Sequence, residues 1–286
     1  MSANRRRYDM LYNRDASTPP ASQFISSVVM LVVVVTVLFI TEFFYKSANT
    51  KQLRFITVLD ETIDSESSRE PIHQNPSIEG AVPLGISVNE RTGIEFAYSF
   101  YLYVNPTTFT GEEKLKHVFH KGYISPWPLL GPGVFILANT NTMRVVMNTQ
   151  MNPYLHADIT NIPVQKWFHV VLNCYKAGLD IYVNGNLANR LSLKNNLPYQ
   201  NFQNIHFFSK STRVLPATAV ASLNSQPHDI EYAGSISGKL GGMKYARYAL
   251  SIHEIRGLMS EGPSKKVKVS TQETPPYNAD SWWTDQ

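Results

Sequence analysis

Two kinds of hydrophobic order run along this chain. From Phe24 to Thr41 the sequence FISSVVMLVVVVTVLFIT is unbroken by charge, and Phe43, Phe44 and Tyr45 extend it past Glu42. At about 1.5 Å per residue, roughly 20 apolar residues cross a hydrocarbon core about 30 Å thick, so the segment predicts a transmembrane helix over 24–45. The β-branched run Val32 to Val35 would favour a strand in water. In lipid every backbone amide must find its partner within the segment, and a lone strand cannot provide that. Phe24, Val32 and Leu38 mark the apolar body of the anchor, and Phe43, Phe44 and Tyr45 its aromatic end. The segment lacks the small-residue cleavage site of a signal peptide, which implies permanent anchoring.

Beyond the anchor the order changes from continuous to alternating. Ile94, Phe96, Tyr98, Phe100, Leu102 and Val104 alternate with Glu95, Ala97, Ser99, Tyr101 and Tyr103, the period of two expected of a strand. Further strands are predicted over Leu115 to His120, Val134 to Ala138, Met143 to Asn148, Trp167 to Tyr175, Leu179 to Val183, Leu187 to Leu193, Ile205 to Ser209 and Gly242 to Tyr248. Asn184-Gly185 suits the left-handed dihedrals of a two-residue hairpin turn, so the strands flanking it should pair antiparallel. Trp167, His169, Val171 and Tyr175 share one strand face and Phe168, Val170, Leu172 and Cys174 the other, so both faces should be covered, which marks a central strand, with Trp167 in the core and Tyr182 on the partner strand. One helix is predicted after Ser251-Ile252-His253-Glu254, a capping box, and Gly262-Pro263 ends it.

These elements define an all-β chain, an antiparallel β-sandwich or jelly roll behind one transmembrane helix. The expected organisation is a basic tail over 1–23, the helix over 24–45, a polar linker over 46–80, the sandwich over 81–262 and an extended tail over 263–286. The linker contains Glu61, Asp64 and Glu66, carboxylates for which a solvated segment fixes no geometry.

Charge and composition narrow the function. The 286 residues carry a net charge of +4, with clusters at Arg5 to Arg7 and at Lys265, Lys266 and Lys268. Such terminal clusters suit phosphate headgroups or an acidic partner and give no face for specific nucleic-acid reading. Arg5, Arg6, Arg7 and Arg14 before the helix barely outweigh Lys46, Lys51 and Arg54 after it, so membrane orientation stays open. Cys174 is the one cysteine, which excludes an intrachain disulfide and multi-thiolate metal sites. Both Asn-x-Ser/Thr matches, Asn75-Pro76-Ser77 and Asn105-Pro106-Thr107, carry proline in the middle, which disfavours exposure to a glycosylating lumen.

The stretches IEFAYSFYLYVN, VQKWFHVVLNCYKAGLDIYVNGNLANRL and GGMKYARYALSIHEI resemble the laminin-G-like branch of the concanavalin A-like lectin/glucanase superfamily over about Ala81 to Gly262. With the N-terminal helix and Gly111-Glu112-Glu113-Lys114, the chain looks most like the versions found in large DNA viruses of algae and protists. That resemblance implies a virion component with a minor capsid role, at an internal membrane and in contact with other capsid or membrane proteins. It also implies two alternatives, a membrane-displayed lectin binding glycans and, less favoured, a glycoside hydrolase. The hydrolases of the superfamily carry closely spaced carboxylates on one strand, which no strand here offers. Laminin-G domains often hold calcium at the sandwich rim. Asp158, Asp180 and Asp229 are the carboxylates available here, too few for more than a weak site, and no other cofactor is implied. His117 and His120, three apart in a strand, should face opposite sides and not share a metal. Trp282 and Trp283, large aromatics on a polar tail, are expected to dock on a partner, assisted by Lys265 and Lys266.

Overall fold

The computed structural model describes residues 20–67, 70–85, 87, 94–124, 128–193, 196–217 and 229–266, with the side chains of the N-terminal helix described over 24–45. The chain divides into two units, Met1–Leu53 and Arg54–Gln286. In the first, helix α1 (Pro20–Arg54) contains the span Phe24–Tyr45, of mean hydropathy 2.8. Its hydroxyls turn back on their own helix: Ser27 Oγ donates to the Phe24 carbonyl, Thr36 Oγ1 to Val32 and Thr41 Oγ1 to Leu38, each at 2.8 Å. Polar side chains satisfied this way add no orphan group to an apolar surround.

The second unit is a two-sheet sandwich with thirteen strands among the described residues: β1 (Phe55–Asp64), β2 (Phe96–Val104), β3 (Leu115–Tyr123), β4 (Leu129–Leu137), β5 (Thr142–Met147), β6 (Leu155–Thr160), β7 (Phe168–Tyr175), β8 (Gly178–Val183), β9 (Asn186–Ser192), β10 (Ile205–Phe207), β11 (Thr212–Leu215), β12 (Ile230–Ser235) and β13 (Gly238–Ala246). One sheet has the order β1-β13-β2-β7-β8-β9; the other runs β11-β12-β3-β4-β5-β6, with β10 also paired to β3. The sheets stay separate and do not close into a jelly-roll barrel. Their inner faces meet through Phe96, Tyr98, Phe100 and Leu102 of β2, Val118 and Phe119 of β3, and Phe168, Val170, Leu172 and Cys174 of β7. Phe119 is the hub, with ring centroids 5.0 Å from Phe100, 6.2 Å from Phe207 and 6.4 Å from Tyr98.

Helix α2 (Ile252–Glu261) begins with the Ser251/Glu254 capping box and ends at Gly262, whose φ is 75°. Its Ile255 and Leu258 bury against Ala97, Val171 and Ala246 on the outer face of the first sheet. This cover is why β7 is buried on both faces, although its outer face carries His169 and Asn173.

Three expectations change. The segment assigned to a polar linker supplies β1, which pairs antiparallel with β13 from Phe55↔Ala246 to Asp64↔Lys239. Register shifts on either side of Leu59 break the alternation, so the adjacent pairs Val58, Leu59 and Thr62, Ile63 are buried while Asp60 is exposed. Trp167 lies just before β7 and is half-buried, its ring 5.6 Å from that of Tyr103 on the outer side of the sheet. It is not a core residue, because it precedes β7 and lies beyond His169, the first outer-face residue of the strand, which is buried beside Tyr101 under the end of α2. His117 and His120, expected on opposite sides of β3, share its outer face, because β3 gains a residue between His117↔Phe135 and Phe119↔Val134.

The prediction is that Phe119→Ala costs about 3–5 kcal/mol, as expected for removing an aromatic from a packed core, and Trp167→Ala about 1 kcal/mol. Urea unfolding of the detergent-solubilised chain followed by circular dichroism measures both. Equal losses would contradict the placement of Trp167 outside the core.

Candidate functional site

The anchor residues are all exposed on α1: Phe24, Val32, Leu38, Phe43, Phe44 and Tyr45 are between 56% and 70% accessible. Phe43 and Phe44 meet edge to face at 6.0 Å. Every described side chain from Phe24 to Tyr45 is exposed, so the helix presents apolar surface in every direction. In water this is costly; in hydrocarbon it is favourable.

The polar interior of the sandwich begins with a bulge. Between His117↔Phe135 and Phe119↔Val134, β3 advances two residues while β4 advances one. Val118 and Phe119 therefore both enter the core, and His117 and His120 emerge on the same outer face. Their imidazoles are hydrogen-bonded, His117 Nε2 to His120 Nδ1 at 2.6 Å, where strict alternation would have separated them. Ser209 N–H donates to His117 Nδ1 at 2.8 Å, so the His117 proton sits on Nε2 and is given to His120. His120 stacks on its cross-strand neighbour His206 at 4.9 Å with a 12° interplanar angle. Burial holds all three below the usual imidazole range, His120 at about 3. Repulsion from His206 adds to this for His117 and His120, and repulsion from His73 for His206. His169, pushed down to about 4 by burial, bonds Ser99 Oγ through Nε2 at 2.7 Å. Two directly bonded imidazoles share a proton, and among the described residues no group of three His, Cys, Asp or Glu could hold a metal ion.

Lys121, the next residue but one after Phe119, turns inward and is 4% accessible. Its ammonium donates to the carbonyls of Asn201 at 2.7 Å and Gln203 at 2.8 Å, and burial lowers it to about 8. Asn201 Nδ2 returns a bond to the Lys121 carbonyl at 3.1 Å, and Asn204 accepts from Gly122 N–H at 3.0 Å. A buried cation answered by loop carbonyls pins the segment around 199–204 to β3.

The carboxylates considered for calcium are engaged. Asp158 takes a bidentate bond from Arg144 at 2.7 Å on both oxygens, and Asp180 one from Arg190 at 2.6 and 2.9 Å with Tyr175 O–H donating at 3.2 Å. Asp229 accepts from Ala217 N–H at 2.8 Å. Paired guanidinium groups leave Asp158 and Asp180 poor cation ligands. Glu112 and Glu231 meet Lys114 at 3.1 and 3.4 Å, and Asp64 meets Lys239 at 3.6 Å.

Asn184 and Gly185 adopt φ of 49° and 75° between β8 and β9, and Asn184 Oδ1 accepts from His169 N–H at 2.9 Å. Tyr182 is half-buried against the α2 cluster. Lys265 is exposed. Lys266 is exposed and forms an ion pair with Asp60, and its carbonyl accepts from Thr62 N–H at 2.7 Å, so its backbone joins the edge of β1. Trp282 and Trp283 lie outside the described residues.

Neither the histidine row nor Lys121 was singled out from sequence as a site. The available signal was the adjacent apolar pair Val118-Phe119 bracketed by polar residues, which a strand can bury only by bulging.

Fold and side chains together define a β-sandwich carrying a helix long and apolar enough to cross a membrane. No protein-family model matches the chain, and no curated protein does. Among solved structures it is similar to the binding domain of Paraclostridial Mosquitocidal Protein 1 (13% identity, 70% of this chain, 42% of that one, TM-score 0.43). It is also similar to the Botulinum neurotoxin serotype D binding domain (11%, 59% and 36%, 0.42) and to Trypanosoma rangeli sialidase (14%, 58% and 22%, 0.37). The chain thus spans less than half the length of each of these structures.

The histidines set a pH dependence. In the unfolded chain they take protons below about pH 6.5, whereas the buried rings stay neutral, so the unfolded state binds more protons and stability is lost as pH is lowered. The expected result is a melting temperature that is flat above about pH 7 and declines from about pH 6.5 towards 4, with a smaller decline in a His117→Leu, His120→Leu double variant. Thermal melts across that range measure it; a profile unchanged by the double variant would contradict the assignment.

Proposed function

We propose that the chain is a non-catalytic, single-pass membrane protein that holds an interaction-bearing β-sandwich at a bilayer. The observation that carries this reading is α1: a 22-residue apolar span with every side chain exposed and the Ser27, Thr36 and Thr41 hydroxyls bonded to its own backbone. A non-catalytic role is supported by Asp158 and Asp180, which face arginines across short bidentate bonds and so lack the free, differently tuned carboxyls that glycoside hydrolysis uses. The finer setting, a minor capsid role at a virion's internal membrane, rests on the resemblance of the sandwich and its anchor to viral laminin-G-like proteins. In that setting Trp282 and Trp283 would dock on neighbouring capsid or membrane proteins.

Glycan binding is the second reading, favoured by one cleft. It encloses about 270 Å³ and is lined by Ser65, Thr107, Lys116, Lys210, Ser235 and Ser237, hydroxyls and ammonium groups suited to a sugar.

Two experiments test the first reading. The full chain should resist alkaline carbonate extraction from membranes, and deletion of residues 24–45 should release it; extraction of the full chain would remove the anchor. Removal of residues 277–286 should leave the melting temperature within about 2 °C while reducing incorporation into the native assembly. Unimpaired incorporation would end the docking role of Trp282 and Trp283.

A further inference from the structure

We propose that the end of the sandwich at which the chain enters β1 rests on the bilayer, through an exposed rim formed by Ile78, Tyr123, Met151, Leu197, Tyr199 and Phe202. The proposal rests on the membrane-anchor reading and adds to it a second, peripheral lipid contact.

Strand register identifies the end. Phe55 pairs with Ala246, and Ala246 with Ala97, so these residues mark one end of the first sheet. Phe96 and Tyr245, beside them, line a crevice together with Lys121, Asn201 and Phe202, which fixes the matching end of the second sheet. Tyr123 is the last residue of β3, Thr149 bridges to Pro198, and Gln150 N–H donates to the Leu197 carbonyl at 3.0 Å, which gathers Met151, Leu197 and Tyr199 there. Ile72 pairs antiparallel with Ile205, and Gln74 N–H donates to Asn204 Oδ1 at 3.1 Å, so the following turn carries Ile78 to the same end. The opposite end, at Asp64, Val104 and Gly238, adjoins the hydroxyl-lined cleft.

Exposure concentrates at the entry end. Of the ten large apolar or tyrosine side chains exposed on the sandwich, six belong to this rim, from Leu197 at 39% to Phe202 at 67%; the other four lie on β9, β11 and α2. The rim is not slack chain. Lys121 ties it from beneath through the Asn201 and Gln203 carbonyls, and Tyr199 N–H donates to the Asn148 carbonyl at 2.8 Å. An apolar surface held outward needs an occupant.

Lipid is the occupant that chain length selects. Nine residues, Lys46 to Arg54, join Tyr45 to Phe55, so even fully extended the chain keeps the sandwich's entry within about 35 Å of the span's end. Tyrosine, phenylalanine, leucine and methionine fit the headgroup boundary, where rings find an apolar body of solvent on one side and water on the other.

The test uses the full chain with single cysteines introduced by Tyr199→Cys, Phe202→Cys and Met151→Cys, and at the opposite end by Asn186→Cys, each labelled with a polarity-sensitive dye. Cys174 is buried and stays unlabelled. Folding is checked by circular dichroism, and the proteins are reconstituted into phosphatidylcholine vesicles with or without headgroup-nitroxide lipid. Labels at 199, 202 and 151 should shift to shorter wavelength and lose about half their emission to the nitroxide, while the label at 186 does neither. Vesicle flotation with unquenched rim labels would overturn the proposal and leave the anchor standing. Blue-shifted but unquenched rim labels would assign the rim to a second copy of the chain and likewise overturn it. Loss of flotation itself would remove the anchor reading and the proposal together.

Discussion

One extra residue in β3 organises most of this sandwich. A strand that alternated strictly through His117 to Lys121 would bury either Val118 or Phe119, not both. The bulge sends both into the space between the sheets, where Phe119 meets rings from Tyr98, Phe100 and Phe207. It then restores alternation with the phase reversed. His120 joins His117 on the outer face, and Lys121, which would otherwise point to the outer face, enters the interior at one end. The aromatic hub, the histidine row and the pinned rim are consequences of the same insertion.

The buried polar groups follow from that phase reversal, and their chemistry explains how each is tolerated. The imidazoles are kept neutral and bonded in sequence, so no charge is buried on that face. Lys121 keeps its charge over most of the physiological range, and two carbonyls of a loop supply what a carboxylate would supply elsewhere. True carboxylate pairs lie on outer faces, where Arg144–Asp158 and Arg190–Asp180 staple neighbouring strands. These arrangements bind strand to strand and leave little that is poised for proton transfer to a substrate.

How much of this could be read from sequence depends on how much of each element obeys a single period. β2, β7 and β8 alternate or are continuously apolar, and Asn184-Gly185 and the Ser251/Glu254 box are local chemistry, so all were legible. β1 was not, because its bulges pair Val58 with Leu59 and Thr62 with Ile63 and the remainder looks like acidic linker. β6, β11 and β12 are short, six residues or fewer, and Thr212, Arg213 and Val214 of β11 are exposed, so they lack an apolar stripe. Trp167 misled for a different reason: its type promised a core, but it lies one residue before β7, beyond the outer-face residues that α2 and Tyr101 bury. The pairing of His117 with His120 required knowing where β3 gains a residue, which is set by the partner strand and not by β3 alone.

The edges of the sheets limit how this domain can meet anything else. An open edge strand would offer unpaired amides to another chain. At β1 that role is already filled: the segment after α2 lies along it, with Thr62 N–H donating to the Lys266 carbonyl and Thr62 Oγ1 to that of Ser264, each at 2.7 Å. At the far edge β9 faces β6 of the other sheet, and Asn189 Nδ2 donates to the Asp158 carbonyl at 2.9 Å. One outer face is covered by α2, and the outer face of β3 is closed over the histidines by Ser209 and His206. Strand addition along β1 is therefore opposed at Thr62, and β9 is tied to the other sheet at Asn189. The apolar rim, with Ile78, Tyr123, Met151, Leu197, Tyr199 and Phe202 exposed, lies instead at the end of the sandwich where the chain enters β1.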